Sequence, residues 1–179
     1  MKQVLFILGE LNDDDVNWMM SVGVKVRLPA GATLINKGDP IPALYIILKG
    51  ALSVRAEAAG EHEIAQLGDG DIVGEMSFVD AQPPSATVKA IQDTLVLAVS
   101  RTHLSDKLAR ESGFGRRFYH AISLYLSQRL RDMDHRLGQY ENREWTTQWQ
   151  NPDELDPNVL DSIHLAGLRF DRMRKQLSE

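Results

Sequence analysis

The sequence has no cysteine among its 179 residues, which excludes disulfides, a thiol nucleophile and thiolate-bound metal. No apolar run approaches the roughly 18 to 20 residues of a membrane span, and the early run "VLFIL" is too short for a secretory signal. Basic residues are outnumbered, with 20 Lys and Arg against 25 Asp and Glu and a formal net charge of −5. A nucleic-acid-binding protein is usually basic, so this charge disfavours that class. From the missing cysteine, secretory signal and membrane span, we expect a cytoplasmic protein.

The chain also lacks the residue patterns of common enzyme sites. Its histidines occur singly, without the close spacing and neighbouring carboxylate that metal binding needs: His62, His103, His120, His135 and His164. Ser77 in "GEMSFVD" has neither the second flanking glycine of a nucleophile elbow nor an identifiable base. We therefore expect a protein that is not an enzyme and holds no metal.

Short strands and tight turns fill residues 24–100. Alternation in "VKVRL" and the β-branched and aromatic run "LYIIL" indicate strands, and "PAG", "KGDP", "KG" and "GDGD" indicate turns between them. Strands at this density predict a mainly β fold, a jelly-roll barrel formed as a double-stranded β-helix. We expect this barrel, with an N-terminal helix that Asn12 caps, to occupy residues 1–113.

A long helix is predicted over residues 114–143, after a short helix that ends at Gly113. Its apolar residues follow the spacing of a coiled-coil seam, and its other face carries charged residues that include Arg129. Such a stripe either packs on the chain's own barrel or pairs with a second copy, and we favour a homodimer. The predicted dimerisation residues are Phe118, Ile122, Leu126, Leu130, Met133, Leu137 and Tyr140.

Residues 144–179 form a predicted helical tail, with a last helix from about Asn158 to Leu177. One stripe of this helix is apolar: Val159, Ile163, Ala166, Phe170, Met173 and Leu177. Together with Trp145 and Trp149, the stripe is a candidate surface for a protein partner. The tail has room for no recognition helix, so we expect no DNA binding.

Three stretches together resemble the cyclic-nucleotide-binding domain of catabolite-activator-type regulators, kinase regulatory subunits and gated channels. They are "LINKGDPIPALYIILKGALSV", "LGDGDIVGEMSFVD" and "PSATVKAIQDTLVLAVSRTHL". The resemblance extends over residues 5–143 and implies a phosphate-binding cassette at residues 74–88.

The resemblance also implies a role for each cassette residue. Gly74 would allow close backbone approach, Glu75 would accept the ribose 2′-hydroxyl proton, and the amides of Met76 and Ser77 would meet the cyclic phosphate. Ser85 and Ala86 would contact the ligand from the far side of the loop. Thr87 would face the base.

The chain departs from the family pattern at Pro84, where the family has the arginine that pairs with the phosphate. Proline offers neither a charge nor an amide hydrogen. Without a cation nearby, the Glu75 carboxylate would in addition repel a phosphate. Binding of cAMP or cGMP is therefore expected to be weakened or atypical.

Three explanations of Pro84 remain open. The pocket is purely structural and binds nothing, it binds another ligand, or it takes a cation from Lys37, Lys89 or Arg55. The first hypothesis for function is a non-enzymatic sensor, gated by ligand in the cassette. The alternative is a ligand-free adaptor dimer that binds a protein partner through the tail.

Overall fold

The computed structural model describes residues 4–57, 61–141 and 157–178, without the side chains of residues 4–6, 57, 61, 132–141, 157–162 and 178. Two helices come first, α1 (Val4–Glu10) and α2 (Asp13–Val22). The strands are β1 (Val24–Leu28), β2 (Thr33–Ile35), β3 (Ala43–Lys49), β4 (Ala51–Glu57), β5 (Glu61–Gly68), β6 (Ile72–Val73), β7 (Thr87–Ala90) and β8 (Thr94–Ser100). The remaining helices are α3 (Glu75–Asp80), α4 (Arg101–Arg110), α5 (Ser112–Glu141) and α6 (Pro157–Ser178).

The strands form two antiparallel four-stranded sheets, ordered β1-β8-β3-β6 and β2-β7-β4-β5, which confirms the predicted jelly roll. The run "LYIIL" on β3 is apolar at every position because both faces of its sheet are covered. Tyr45 and Ile47 lie in the core between the two sheets, whereas Leu44, Ile46 and Leu48 lie in a second core under the helices.

The cap at the start of α2 is as predicted. The Asn12 side chain accepts a hydrogen bond from the Asp15 amide at 2.8 Å, and Asp15 accepts one from the Asn12 amide at 3.1 Å. Asp15, which is almost fully buried, also receives two hydrogen bonds from Arg117 of α5, at 2.7 and 3.0 Å. This pair fixes the start of α5 against α2.

Helix α5 differs from its prediction at its start. It begins at Ser112, so Gly113 lies inside its first turn and does not end the preceding helix. Helix α4 ends instead at Arg110, because the extended backbone of its C-cap Glu111 (φ −125°, ψ 90°) separates α4 from α5.

The first half of α5 packs on its own barrel, which corrects part of the predicted dimer seam. Phe118 and Ile122 are 0 and 2% exposed inside the helix-covered core, so neither is open to a second copy. Leu126 is half-buried and Leu130 is 62% exposed. The side chains of Met133, Leu137 and Tyr140 lie outside the described residues.

The apolar stripe of α6 has a partner within the same chain. Ala166, Phe170 and Met173 are buried in the core that includes α1. Arg169 secures the contact by donating hydrogen bonds to the Asp13 carboxylate and to the Leu8 carbonyl, both at 2.7 Å. These three stripe residues are therefore not a surface open to a partner, while Trp145 and Trp149 lie outside the described residues.

Candidate functional site

The candidate site starts at Gly74, between β6 and α3. Gly74 has φ +94°, a left-handed conformation that side chains rarely adopt. A Cβ atom here would lie 2.9 Å from the Ala43 carbonyl oxygen, closer than carbon and oxygen tolerate. The structure therefore requires glycine at position 74 because of the neighbouring strand β3, and the predicted approach of Gly74 to a ligand stays a prediction.

Glu75 is the most buried charged side chain of the cassette, at 2% exposed. Its Oε1 atom lies 2.5 Å from Nη1 of Arg129, which reaches it from α5. Burial raises the pKa of Glu75, while Arg129 and the nearby backbone amides oppose that rise. The prediction of an uncompensated carboxylate is thus wrong, because the Arg129 guanidinium balances its charge.

A second contact joins α5 to the strand that leads into the cassette. The Tyr125 hydroxyl, fully buried, donates a hydrogen bond to the Ile72 carbonyl at 2.8 Å. Burial raises the pKa of Tyr125, so the hydroxyl stays protonated at neutral pH. Tyr125 and Arg129 are four residues apart and so lie on one face of α5.

The middle of α3 contacts both α4 and α5. Arg101, the first residue of α4, donates a hydrogen bond from Nη1 to the Ser77 carbonyl at 2.8 Å. The Phe78 ring meets the Phe118 ring edge-on, with centroids 5.6 Å apart. The segment from Ile72 to Phe78 is therefore connected to α4 and α5 at four residues: Ile72, Glu75, Ser77 and Phe78.

The far side of the cassette contacts the loop between β2 and β3. The Pro84 carbonyl accepts a hydrogen bond from the Gly38 amide at 2.9 Å, and the Thr87 hydroxyl accepts one from the Lys37 amide at 3.2 Å. Ser85 is exposed and Ala86 is half-buried, as is Thr87. Among the other predicted contacts, Met76 is 53% exposed and Ser77 is buried.

Lys37, Lys89 and Arg55, the candidate cations in place of the missing arginine, lie at different positions relative to the cassette. Arg55 of β4 lies opposite Thr87 of β7, and Lys89 of β7 lies opposite Ser53 of β4. Successive side chains of a strand point to opposite faces, and the neighbouring Val54 and Val88 lie in the core between the sheets. Arg55 and Lys89 are therefore on the outer face of the barrel, whereas Lys37 belongs to the loop that contacts Pro84.

Arg129, Tyr125 and Arg101 are site residues that the sequence did not reveal. The helical periodicity predicts Arg129 on the charged outer face of the long helix, but its side chain is only 25% exposed and contacts Glu75. These two residues are 54 positions apart, so local spacing carries no sign of the pair.

The described residues contain no group of three or more His, Asp or Glu side chains arranged to hold a metal ion. In the same part of the chain, no helix combines the length and the apolar character needed to cross a membrane.

Comparison with known proteins gives consistent results. Residues 25–111 match the family model described as "Cyclic nucleotide-binding domain". The chain is 31% identical over 118 residues to a Pycsar effector protein of Xanthomonas perforans and 30% identical over 126 residues to the cyclic AMP receptor protein of Thermus thermophilus. The matches cover 65 and 69% of this chain but only 37 and 56% of those relatives.

Solved structures show the same similarity. A cyclic nucleotide-binding domain from Methylobacillus flagellatus superimposes with a TM-score of 0.70 at 27% identity, covering 80% of this chain and 85% of that one. The catabolite activator protein of Thermus thermophilus gives a TM-score of 0.63 at 25% identity, with coverage of 97 and 86%.

Proposed function

Because this chain belongs to the cyclic nucleotide-binding domain family through residues 25–111, we propose that it is a non-enzymatic cytoplasmic sensor. A cyclic nucleotide, cAMP or cGMP, binds in the cassette at residues 74–88 and changes the position of α5. The observation that carries this proposal is the buried contact between Glu75 and Arg129, which joins the ligand-binding cassette directly to the long helix.

The proposed change passes from the cassette to the helices through three hydrogen bonds, at Ile72 just before the cassette and at Glu75 and Ser77 within it. Ligand binding closes the cassette, and closure displaces Ile72, Glu75 and Ser77 together. Each of these residues is bonded to a helix residue, namely Tyr125, Arg129 and Arg101 in turn. A ligand shifts such a system only through its differential affinity for the two states, so tighter binding to the closed cassette is part of the proposal.

The family roles transferred to this chain explain how the ligand is held. The Glu75 carboxylate has several acceptor positions and can accept the ribose 2′-hydroxyl while it stays paired with Arg129. Because Arg129 neutralises its charge, Glu75 no longer opposes a phosphate nearby. The amides of Met76 and Ser77, with Ser85 and Ala86, supply the remaining proposed contacts. Thr87 lies opposite Arg55 and next to the core residue Val88, so its side chain is on the outer face of the barrel and is not one of these contacts.

Calorimetric titration of the wild-type protein with cAMP, cGMP and cyclic dinucleotides tests the ligand. We expect heat with cAMP or cGMP, at an affinity below that of sites with the phosphate arginine, because a charge-assisted hydrogen bond contributes about 1.5 to 3 kcal/mol. Heat with a cyclic dinucleotide alone would keep the sensor but replace its ligand. Absence of heat and of any thermal shift at millimolar concentrations of all the nucleotides would contradict the proposal.

A second candidate is a ligand-free adaptor dimer whose cassette is only structural. Two observations favour it: Pro84 provides no cation, and Arg129 already satisfies Glu75 without a ligand. A partner protein would then bind through the tail, where Leu165 and Leu168 are 49 and 57% exposed on α6. The titration with nucleotides separates this candidate from the sensor.

We also propose that the protein is a homodimer through the later part of α5. Leu130, on a helix of 30 residues, is a large apolar side chain that the described residues leave 62% exposed. Leu126, Met133, Leu137 and Tyr140 continue its stripe at heptad spacing.

Sedimentation of a Leu130→Asp, Leu137→Asp variant tests the dimer. We expect the mass of a dimer for the wild type and of a monomer for the variant, because two carboxylates in each helix would be buried in the seam. Arg131→Asp is the control, since Arg131 is exposed on another side of α5 and should leave the dimer intact. An unchanged mass of the double variant would refute the seam.

A further inference from the structure

A cleft lies at the end of the barrel away from the cassette. Its volume is about 430 Å³, which is the size of a small-molecule site, and residues at the end of β1, the end of β3 and the start of β8 line it. Strand β3 connects the two sites: its first residue, Ala43, lies against Gly74, and its last residue, Lys49, lines the cleft. At about 3.3 Å per residue, the two ends of this strand are roughly 20 Å apart. The cleft is therefore a separate site that shares no residue with the cassette.

The buried part of the cleft lining is apolar and fixed in place. Leu28 and Leu95 are 9 and 8% exposed, and Thr94 between them in the lining is 3% exposed. The Thr94 hydroxyl accepts a hydrogen bond from the Ala51 amide at 3.1 Å and donates one to the Gln92 carbonyl at 2.8 Å. Its donor is thus in use, and the buried lining offers a ligand mainly apolar contact.

The Asp93 carboxylate joins two sides of the cleft. Its Oδ1 atom accepts a hydrogen bond from the Ala30 amide at 3.0 Å, which ties the loop after β1 to the turn before β8. Within the described residues its Oδ2 atom has no hydrogen-bond partner, so it remains an acceptor for a hydroxyl group. The shape of the cleft is therefore set before any ligand enters.

Two cations line the same cleft without a partner in the described part of the chain. Arg27 and Lys49 are exposed, and neither side chain takes part there in a hydrogen bond, an ion pair or a ring contact. Both lie opposite Leu95 in the sheet, Arg27 from β1 and Lys49 from β3. Neighbouring strands are about 4.8 Å apart, so the two backbones are separated by roughly 10 Å. Long side chains from both sides can close this distance and meet one anion above Leu95.

The charges of the cleft favour an anion with two negative charges. Arg27 and Lys49 together with Asp93 leave the lining with a net charge of +1. A phosphate monoester carries about −1.5 to −2 at neutral pH, and its three terminal oxygens suffice for a guanidinium fork and an ammonium group at once. A single carboxylate carries only one charge and would leave one of the two cations without a counter-charge.

We propose that this cleft binds a small hydroxylated phosphate monoester, such as a sugar phosphate. Arg27 and Lys49 pair with its phosphate, and Asp93 accepts a hydrogen bond from one of its hydroxyl groups. Leu28 and Leu95 contact its carbon skeleton. The proposal does not rest on the function proposed for the cassette, because the two sites use different residues.

The test is a titration of isotope-labelled protein with glucose 6-phosphate, inorganic phosphate and glucose, followed by the NMR shifts of the backbone amides. With glucose 6-phosphate we expect shifts at residues 27–28, 49–50 and 93–95. Inorganic phosphate should bind more weakly, because it lacks the carbon skeleton and its hydroxyl groups, and glucose should cause no shift at the same millimolar concentrations. Arg27→Gln and Lys49→Gln should each raise the Kd of glucose 6-phosphate by roughly tenfold.

Lys25→Gln is the matched control, since Lys25 is exposed on the same strand as Arg27 but does not line the cleft. It removes the same charge and should change Kd by less than about twofold. Melting temperatures of the three variants check that each is folded. Equal Kd values for Arg27→Gln and Lys25→Gln, shifts confined to residues 74–88, or no shift at millimolar glucose 6-phosphate would each overturn the site. Equal affinity for inorganic phosphate and glucose 6-phosphate would overturn the assignment of an organic phosphate.

Discussion

Replacing Pro84 by arginine is expected to tighten cAMP binding by about 10²-fold, because each charge-assisted hydrogen bond contributes roughly 1.5 to 3 kcal/mol and a bidentate pair more. The substitution suits the structure, since position 84 is half-buried and its backbone contact uses the carbonyl, which accepts from Gly38 and is kept in the variant. The arginine also regains the amide hydrogen that proline lacks. Calorimetry at fixed ionic strength measures the change.

A control separates this specific pairing from a general increase in positive charge. Gln82→Arg adds the same charge two residues earlier, at an exposed position whose amide bonds to Asp80. We expect it to change Kd by less than about threefold, as surface charges are screened. A Pro84→Arg variant that is folded and binds no better than the wild type would mean that the pocket geometry differs from that of the family.

Replacing Arg129 by leucine should lower the free energy of unfolding by about 3 to 5 kcal/mol at neutral pH. The reason is that Glu75, 2% exposed, would remain as a buried carboxylate without its cation. Removing one partner of such a pair costs more than removing both, so a Glu75→Gln, Arg129→Leu double variant should recover a large part of the loss. Urea unfolding of the three proteins measures these differences.

The pH dependence of the Arg129→Leu variant has a definite sign. Burial already raises the pKa of Glu75, and loss of Arg129 removes an interaction that opposes the rise. A carboxyl group whose pKa is raised by folding stabilises the protein at low pH, and this contribution disappears as the pH rises through the folded pKa. The deficit of the variant relative to the wild type should therefore shrink in acid.

Arg131→Leu provides the matched control for this prediction. Arg131 lies two residues along the same helix, is exposed and bonds to the Gln128 side chain at 3.3 and 3.4 Å. Its loss should change the unfolding free energy by at most about 0.5 kcal/mol. If Arg129→Leu and Arg131→Leu are equally stable, the contact between Glu75 and Arg129 is not a significant connection between cassette and helix.

Much of the fold was predictable because its signals are local. Short apolar runs separated by glycine and proline predicted the jelly roll. Asn12 and the aspartates that follow it predicted the start of α2. The glycine that begins the cassette came from the resemblance to the family, whereas its left-handed backbone and its approach to Ala43 come from the structure.

The contacts that give the site its proposed function were not predictable in the same way. Periodicity identifies an apolar face of a helix, but the same face of α5 or α6 is compatible with a second copy, a partner or the chain's own core. The structure covers Phe118 and Phe170 with the chain itself, through contacts such as that of Arg169 with Leu8, 161 residues apart. The pairing of Glu75 with Arg129 likewise depends on how α5 lies across the cassette.

Hydrogen exchange of the wild-type protein, with and without saturating cAMP, tests most directly whether the cassette controls α5. The account predicts slower amide exchange in the cassette at residues 74–88 and also in α5 at residues 125–130. Closure around the ligand should protect the contacts of Tyr125 with Ile72 and of Arg129 with Glu75 from local opening. Slower exchange in the cassette together with unchanged exchange in α5, at full occupancy, would contradict the account.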